Sequence, residues 1–533
     1  MTISVSTAGA ASDAVDRALP NLVNGQFASR LFAGDAGIWG EAASDEAGKR
    51  LGWTRAHEVS EPLVDEIIAL RDEYRQRGID RFVLCGMGGS SLAPEVITRT
   101  AGVELVVLDS TDPAQVAAIV DERLDATAVV VSSKSGSTIE TDSQRRAFVD
   151  AFRGAGIDPA ERIVIVTDPG SPLEESAREA GHRVFLADPN VGGRYSALTA
   201  FGLVPSGLAG ADIRALIDQA TAIADDLAED SPENPALVLA AVMAGAEPHR
   251  TYLGIVDDGS GIVGFGDWAE QLIAESTGKE GTGVLPVVLE TDSPEIGSAI
   301  PDLQLVRVVA NAEDTLADGD EAAVSGPLGA QFLLWEVATA AAGMLLGINP
   351  FDQPDVESAK VAARGLLDDM PELEPASLID DGIEARGSQE VLRDAENVSE
   401  AINALLAALP EGGYVAIQAY ADRTRLGELA QVRDEIAKRA RRPVTFGWGP
   451  RFLHSTGQFH KGGPAVGVFL QIVTRESADR DIPDRPFSFG TLIRAQADGD
   501  RKVLEEHGRP VLQLTLTEGA ESVAALAKLL GEL

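Results

Sequence analysis

Five short apolar runs, RFVLCG (81–86), ELVVLD (104–109), ATAVVVSS (126–133), RIVIVTD (162–168) and RVFLAD (183–188), alternate with helix-like segments at 91–100, 113–122, 138–153 and 172–180. Strands and helices alternating at this spacing build βαβ units, and these build a mainly parallel sheet covered on both faces. The pattern places a first α/β domain at 73–228. Ahead of it, residues 1–72 read as a polar helical segment; Leu63, Val64, Ile67, Ile68 and Leu70 fall at amphipathic spacing. The polar, proline-bearing AEDSPENPA (228–236) marks a boundary. A second cycle then fills 236–533, with helices at 266–276, 325–345, 353–367 and 423–440. Its strands are VLPVVLE (284–290), LQLVRVVA (302–309), YVAIQAY (414–420), PVTFGW (443–448), GVFLQIV (467–473) and VLQLTL (511–516). The acidic, broken stretch around 365–410 reads as an insertion in this second domain.

Charge narrows the partners. Eighty-four acidic residues face 44 basic ones, a formal net charge of −40. Such a field repels nucleic acid and anionic membranes, so neither is an expected partner, although one pocket can still be locally positive. No stretch approaches 18 consecutive apolar residues, and the first twenty residues lack the basic-then-apolar order of a secretion signal, so a cytoplasmic location is expected. Cys85 is the single cysteine and lies within an apolar run, which points to a core role. Six histidines without ligand spacing argue against a transition-metal site, and no cofactor is expected.

Two strand-to-helix turns are small and polar: GMGGSSLAP (86–94) and SSKSGSTIE (132–140). Ligands bind such sheets at the carboxyl ends of parallel strands, where glycines admit an anion and the free amides of the next helix face it. Gly89, Ser90, Ser133, Ser135, Ser137 and Thr138 can supply donors there, and Lys134 a point charge. Neither turn has the P-loop form. GxGG is not GxGxxG, although Asp109 about twenty residues on could imitate a dinucleotide site. In NVGGRYSALTAFGLVP (190–205) two glycines bring Arg194 to a sharp turn; a guanidinium there can make a salt bridge or stabilise developing negative charge. In WAEQLIAESTGKEGTGVLPV (268–287), Glu275 stands where a buried helix should end, as an ion pair for Lys279 or as a general base. NPFDQPDVESAK (349–360) puts Glu357 and Lys360 three apart on one helix face. FGWGPRFLHSTGQFHKGGP (446–464) holds two histidines suited to proton transfer, His454 and His460.

Together these segments resemble the glucose-6-phosphate isomerase family, whose members carry two sugar-isomerase (SIS) domains. The resemblance implies two three-layer αβα sandwiches behind a helical N-terminal segment. SKSGST is similar to the family's phosphate loop, GGRYS to one of its signatures and ESTGK to its E-S-x-G-K motif. Phe351, Asp352, Gln353, Val356, Glu357 and Lys360 match a second signature, F-[DN]-Q-x-G-V-E-x-x-K, save that Asp355 replaces its glycine. By that resemblance Glu275 moves the proton between C1 and C2 and Arg194 holds the enediolate. Lys360 and His454 open the sugar ring, while Gln353 and Gln458 bind substrate. His454, four residues before Gln458 as in the family's H-x-x-x-Q element, is chosen over His460. The order, Lys360 ahead of His454, resembles the isomerase part of bifunctional transaldolase/glucose-6-phosphate isomerases. The implied substrate is a phosphorylated hexose, glucose 6-phosphate, and the implied assembly is a homodimer, since in many of these enzymes the histidine comes from a partner subunit. Rival readings are a mannose-6-phosphate or dual-specificity isomerase, a non-catalytic sugar-phosphate sensor and a dinucleotide oxidoreductase.

Overall fold

A computed structural model describes residues 3–312, 319–368, 374–475 and 478–532. The chain divides into two compact units: one comprises 1–109, 120–291 and 303–352, the other 110–119, 292–302 and 353–533.

The first unit holds two sheets. β1 (Ser4–Thr7) lies ahead of an N-terminal segment that is otherwise mostly helical, as expected. Its helices are Gly9–Asn24, Phe27–Phe32, Glu41–Ala47 and Ala56–Gln76. The next sheet is formed by β2 (Arg81–Gly86), β3 (Val106–Leu108), β4 (Thr127–Ser132), β5 (Ile163–Thr167) and β6 (Arg183–Leu186), all parallel, in the order β3-β2-β4-β5-β6. Every residue of β2 and β4 is buried, as strands covered by helices on both faces must be. The chain leaves β2 towards one edge and returns to β4 on the other side, so the strand order reverses between them. Open α/β sheets bind ligands at such a reversal. In register, Gly86 faces Ser132, which puts both polar turns at one end of the sheet.

β7 (Tyr252–Asp258), β8 (Leu285–Leu289), β9 (Leu303–Val309) and β10 (Glu321–Ser325) make the second sheet, in the order β1-β10-β9-β7-β8, with only β1 antiparallel. The helix Leu328–Leu346 is the one described helix long and apolar enough to cross a membrane, and 89% of that stretch is buried within the fold. One apolar core runs through the unit, from Ile3 to Phe351.

The other unit is built on a third sheet. β11 (Leu378–Asp380), β12 (Ile383–Gly387), β13 (Tyr414–Tyr420), β14 (Val444–Trp448), β15 (Gly467–Thr474) and β16 (Val511–Leu516) form a separate sheet, in the order β11-β12-β16-β15-β13-β14. Residues 236–533 therefore contain two sheets with separate cores, and three sheets stand where two were expected. The stretch read as an insertion around 365–410 contributes β11 and β12, and β12 pairs antiparallel with β16 over five residues. Residues 369–373 of that stretch lie outside the described residues.

Candidate functional site

β2 feeds the short turn Gly88–Ser90 and then the helix Leu92–Ala101. A Cβ on Gly89 would lie 1.9 Å from the carbonyl oxygen of Gly193, so glycine is required for the two turns to meet. Ser196 Oγ donates to Gly89 O at 3.4 Å and to Gly193 O at 2.6 Å, tying the contact. Ser90 thus lies beside the Arg194 turn.

β4 ends in Ser132 and the polar turn leads to the helix Ile139–Gly154, whose N-cap is Thr138. Within it Ser133 Oγ donates to Thr138 Oγ1 at 3.1 Å, and the hydroxyls of Ser135 and Ser137 lie 3.0 Å apart at an exposed edge. Lys134 is not a bare point charge: its ammonium pairs with Asp168 and reaches Pro189 O at 3.4 Å. Burial pushes the Asp168 carboxyl above its usual range, with the Lys134 hydrogen bond opposing. Thr167 Oγ1 donates to Ser133 O at 2.7 Å, so the end of β5 braces the turn.

Arg194, in the short turn Gly193–Tyr195, is 4% exposed. Its guanidinium engages several groups. Nε donates to Ser276 Oγ at 2.8 Å, Nη2 to Pro350 O at 2.7 Å and Asp352 O at 3.2 Å, and Nη1 lies 3.4 Å from Glu275 Oε1. Glu275 occupies the last turn of the helix Phe265–Thr277, which is otherwise almost wholly buried. Its carboxylate keeps 14% exposure, and its other oxygen accepts from Gln271 Nε2 at 3.1 Å, one helical turn back. Tyr195 Oη lies 3.2 Å from Ser276 Oγ, and burial pushes that phenol up to about 12.

Lys279 completes the cluster. Only 1% exposed, its ammonium donates to Asn349 O (2.7 Å), Asp352 O (2.6 Å) and Asp352 Oδ1 (2.7 Å). Burial, helped by the Arg194 charge, lowers it to about 8. Two cations thus hold the segment 349–352, while its Phe351 ring packs edge-on against Trp39 at 4.9 Å.

The remaining candidates lie in the second unit. Lys360 is exposed on the helix Val356–Asp368, and Gln353 is exposed before it. Gln458 is fully buried and grips the start of that helix: its Oε1 accepts from Asp355 N–H at 3.0 Å and its Nε2 donates to Asp355 Oδ2 at 2.7 Å. The aspartate that departs from the family pattern is therefore the residue Gln458 holds, and both amide ends expected on substrate are engaged by Asp355. His454 ends the turn Arg451–His454 and is half-buried. His460, 2% exposed, has Nδ1 at 2.9 Å from Tyr414 Oη, and burial holds its imidazole well below the usual range. It is a neutral core histidine. Among the described residues, no three His, Cys, Asp or Glu side chains gather as a metal site.

Sequence reasoning missed the Asp168 partner of Lys134, the Tyr195–Ser276 bond and Gln271. Only Gln271 left a readable signal, four residues ahead of Glu275 on one helix face.

The phosphoglucose isomerase family profile matches residues 64–267. A probable glucose-6-phosphate isomerase of Natronomonas pharaonis is 32% identical over 332 residues, covering 53% of this chain and 78% of that protein. Among solved structures, a hypothetical protein of Thermus thermophilus superposes with a TM-score of 0.58 at 25% identity, over 69% of this chain and 100% of its own. A glucose-6-phosphate isomerase of Chlamydia trachomatis shares the fold, with a TM-score of 0.51 at 20% identity, over 65% of this chain and 79% of that one. With a carboxylate, a guanidinium and a polar anion-type turn all brought to one unit of an α/β sugar-isomerase fold, and with these likenesses, the chain belongs to the phosphoglucose isomerase family of phosphosugar isomerases.

Proposed function

We propose that the chain interconverts glucose 6-phosphate and fructose 6-phosphate through a cis-enediolate. The observation that carries this reading is the Glu275 carboxylate, held on one oxygen by Gln271 and lying 3.4 Å from the Arg194 guanidinium on the other. A base and a fixed positive charge side by side suit removal of a proton α to a carbonyl, because the charge that develops on the oxygen meets a cation already in place.

His454 and Lys360 first open the pyranose, passing a proton between the C1 hydroxyl and the ring oxygen. Glu275 then takes the proton from C2, the electron pair moves into the C1–C2 bond, and the C1 oxygen becomes anionic beside Arg194. Transfer of the C2 hydroxyl proton to the C1 oxygen, with formation of the C2 carbonyl and return of the proton from Glu275 to C1, gives the ketose. Atoms and electrons balance within the sugar, so no redox partner is consumed. The turn at 132–138 holds the phosphate, whose binding energy orients C1 and C2. Gly89, Ser90 and Gln353 contribute to binding in this reading, and Gln458 acts through the Asp355 turn. The family's dependence on a partner histidine makes a homodimer the proposed assembly. The motif order favours likeness to the isomerase part of the bifunctional enzymes, but the activity proposed is isomerisation alone.

A coupled assay of purified chain tests this, with glucose 6-phosphate and fructose 6-phosphate each offered as substrate and mannose 6-phosphate as comparison. Interconversion of the first pair is expected. Tight binding without turnover would favour the sensor, and preference for mannose 6-phosphate the other epimer.

A further inference from the structure

The second unit carries a cavity of about 190 Å³ that the isomerase reading does not use. It opens at the carboxyl ends of β15 and β16, against the helix Phe489–Glu506. Ligand crevices of open α/β sheets lie at this end of the strands. The order reverses next to it, between β13 and β15: the chain passes from β13 to β14 on one side and returns to β15 on the other.

The sheet face behind the cavity is unusually polar. Residues of β13, β15 and β16 alternate, with Val415, Ile417, Val468, Leu470, Leu512 and Leu514 packed into the apolar core on one face. On the other face, in one register row, stand Gln418, Gln471 and Gln513, each at most 3% exposed. Gln513 Nε2 donates to Gln471 Oε1 at 3.2 Å, and Gln471 Nε2 to Gln418 Oε1 at 3.1 Å. Gln513 is also part of the cavity wall and donates to Asp498 Oδ1 at 3.3 Å. Of the three amides only Gln513 reaches the cavity wall, and both of its Nε2 protons go to protein acceptors.

The ionic groups of the wall are already matched. Arg475 pairs with Glu384 at 2.7 Å and Arg494 with Asp498 at 3.4 Å. Asp112 accepts the backbone N–H groups of Ala114 and Gln115, and Asp479 that of Gly490. A phosphate or an ammonium would thus find its counter-charge engaged. What the wall offers instead is the Thr515 hydroxyl, which accepts from Arg386 Nη1 at 3.2 Å, and the carbonyl oxygen of Gln513, beside an apolar strip of Pro113, Val473, Ile493 and Ala497. That mixture suits a molecule with hydroxyls along its edge and C–H groups on its face. The volume is below the roughly 300–1,000 Å³ of pockets for drug-sized ligands and equals about six waters at ~30 Å³ each. We infer that the second unit binds a small neutral polyhydroxylated molecule, of monosaccharide or cyclitol size and without phosphate, in this cavity.

The test is saturation-transfer NMR on the full chain, with unphosphorylated myo-inositol, D-glucose and D-sorbitol as probes and inorganic phosphate as competitor. Saturable contact with at least one polyol, of roughly millimolar affinity, is expected, and phosphate should not displace it. Val473→Trp, which fills the cavity, should abolish the signal. Thr515→Val should weaken binding about fivefold, one neutral hydrogen bond. Near-UV circular dichroism and unchanged phosphosugar turnover confirm that each variant is folded. No saturable contact with any probe, retention of binding in folded Val473→Trp, or displacement by phosphate would each overturn the assignment.

Discussion

At the scale of the residue, the environment of Glu275 decides what it can do. A carboxylate in the last turn of a buried helix would ordinarily serve as an ion-pair partner, yet this one keeps an exposed edge while Gln271 and Arg194 fix its orientation. Glu275→Gln retains the shape and removes the base, so kcat for the isomerisation should fall at least ~100-fold with KM little changed. Lys134 has the opposite signature. In the proposed cycle its charge serves binding, and its removal also releases Asp168, so Lys134→Ala should raise KM for a phosphosugar about tenfold while kcat holds. The two histidines separate in the same way. His454→Gln should cost turnover on the order of 100-fold. His460→Gln should leave kcat within a few-fold, because that ring is enclosed against Tyr414. Since burial holds His460 neutral when folded, while an exposed imidazole titrates near 6.5, the unfolded chain binds the extra proton and stability falls as pH drops below about 6.5. Denaturant melts of His460→Gln should lose that part of the acid dependence.

At the scale of the element, the meeting of two turns matters more than either turn. Gly89 lets the β2 turn press on Gly193, the residue before Arg194. Gly89→Ala should cost about 1–3 kcal/mol and lower kcat through the displaced guanidinium, read by a melt and a steady-state assay together. The segment 349–352 depends on Lys279 in the same manner. Its ammonium titrates near 8 when folded against 10.5 ordinarily, so the unfolded chain binds more protons between those values. Stability should therefore rise from pH 8 to about 10.5, by up to about 3 kcal/mol, and Lys279→Met should flatten that rise. Elements with strong periodicity were legible: the strands of the first sheet and the helices Ile139–Gly154 and Leu328–Leu346 lie where their patterns predict. Two strands without an apolar run were not. β1 and β10 are four- and five-residue strands, and SVST and EAAVS carry no pattern apart from their partners. Their strand character comes from pairing with each other and of β10 with β9.

At the scale of the whole molecule, the polar turns, Arg194, Glu275 and Lys279 were recognisable one motif at a time, because chemistry of this kind demands particular residue types in short stretches. The division of the chain was not. Residues 236–533 read as one domain because strand-helix alternation continues across residue 352, and alternation does not reveal which strands share a sheet. The class of fold, the parallel character of its sheets and the short polar motifs proposed to hold a phosphosugar are legible in the chain alone, since these follow from local apolar period and side-chain chemistry. Only the tertiary structure decided that Gly89 touches Gly193, that Asp168 engages Lys134, that Gln458 grips Asp355 and that a third sheet stands with its own core. Each of these joins residues distant in the chain through packing and pairing, and such contacts are fixed by how buried surfaces complement one another rather than by any single stretch of sequence.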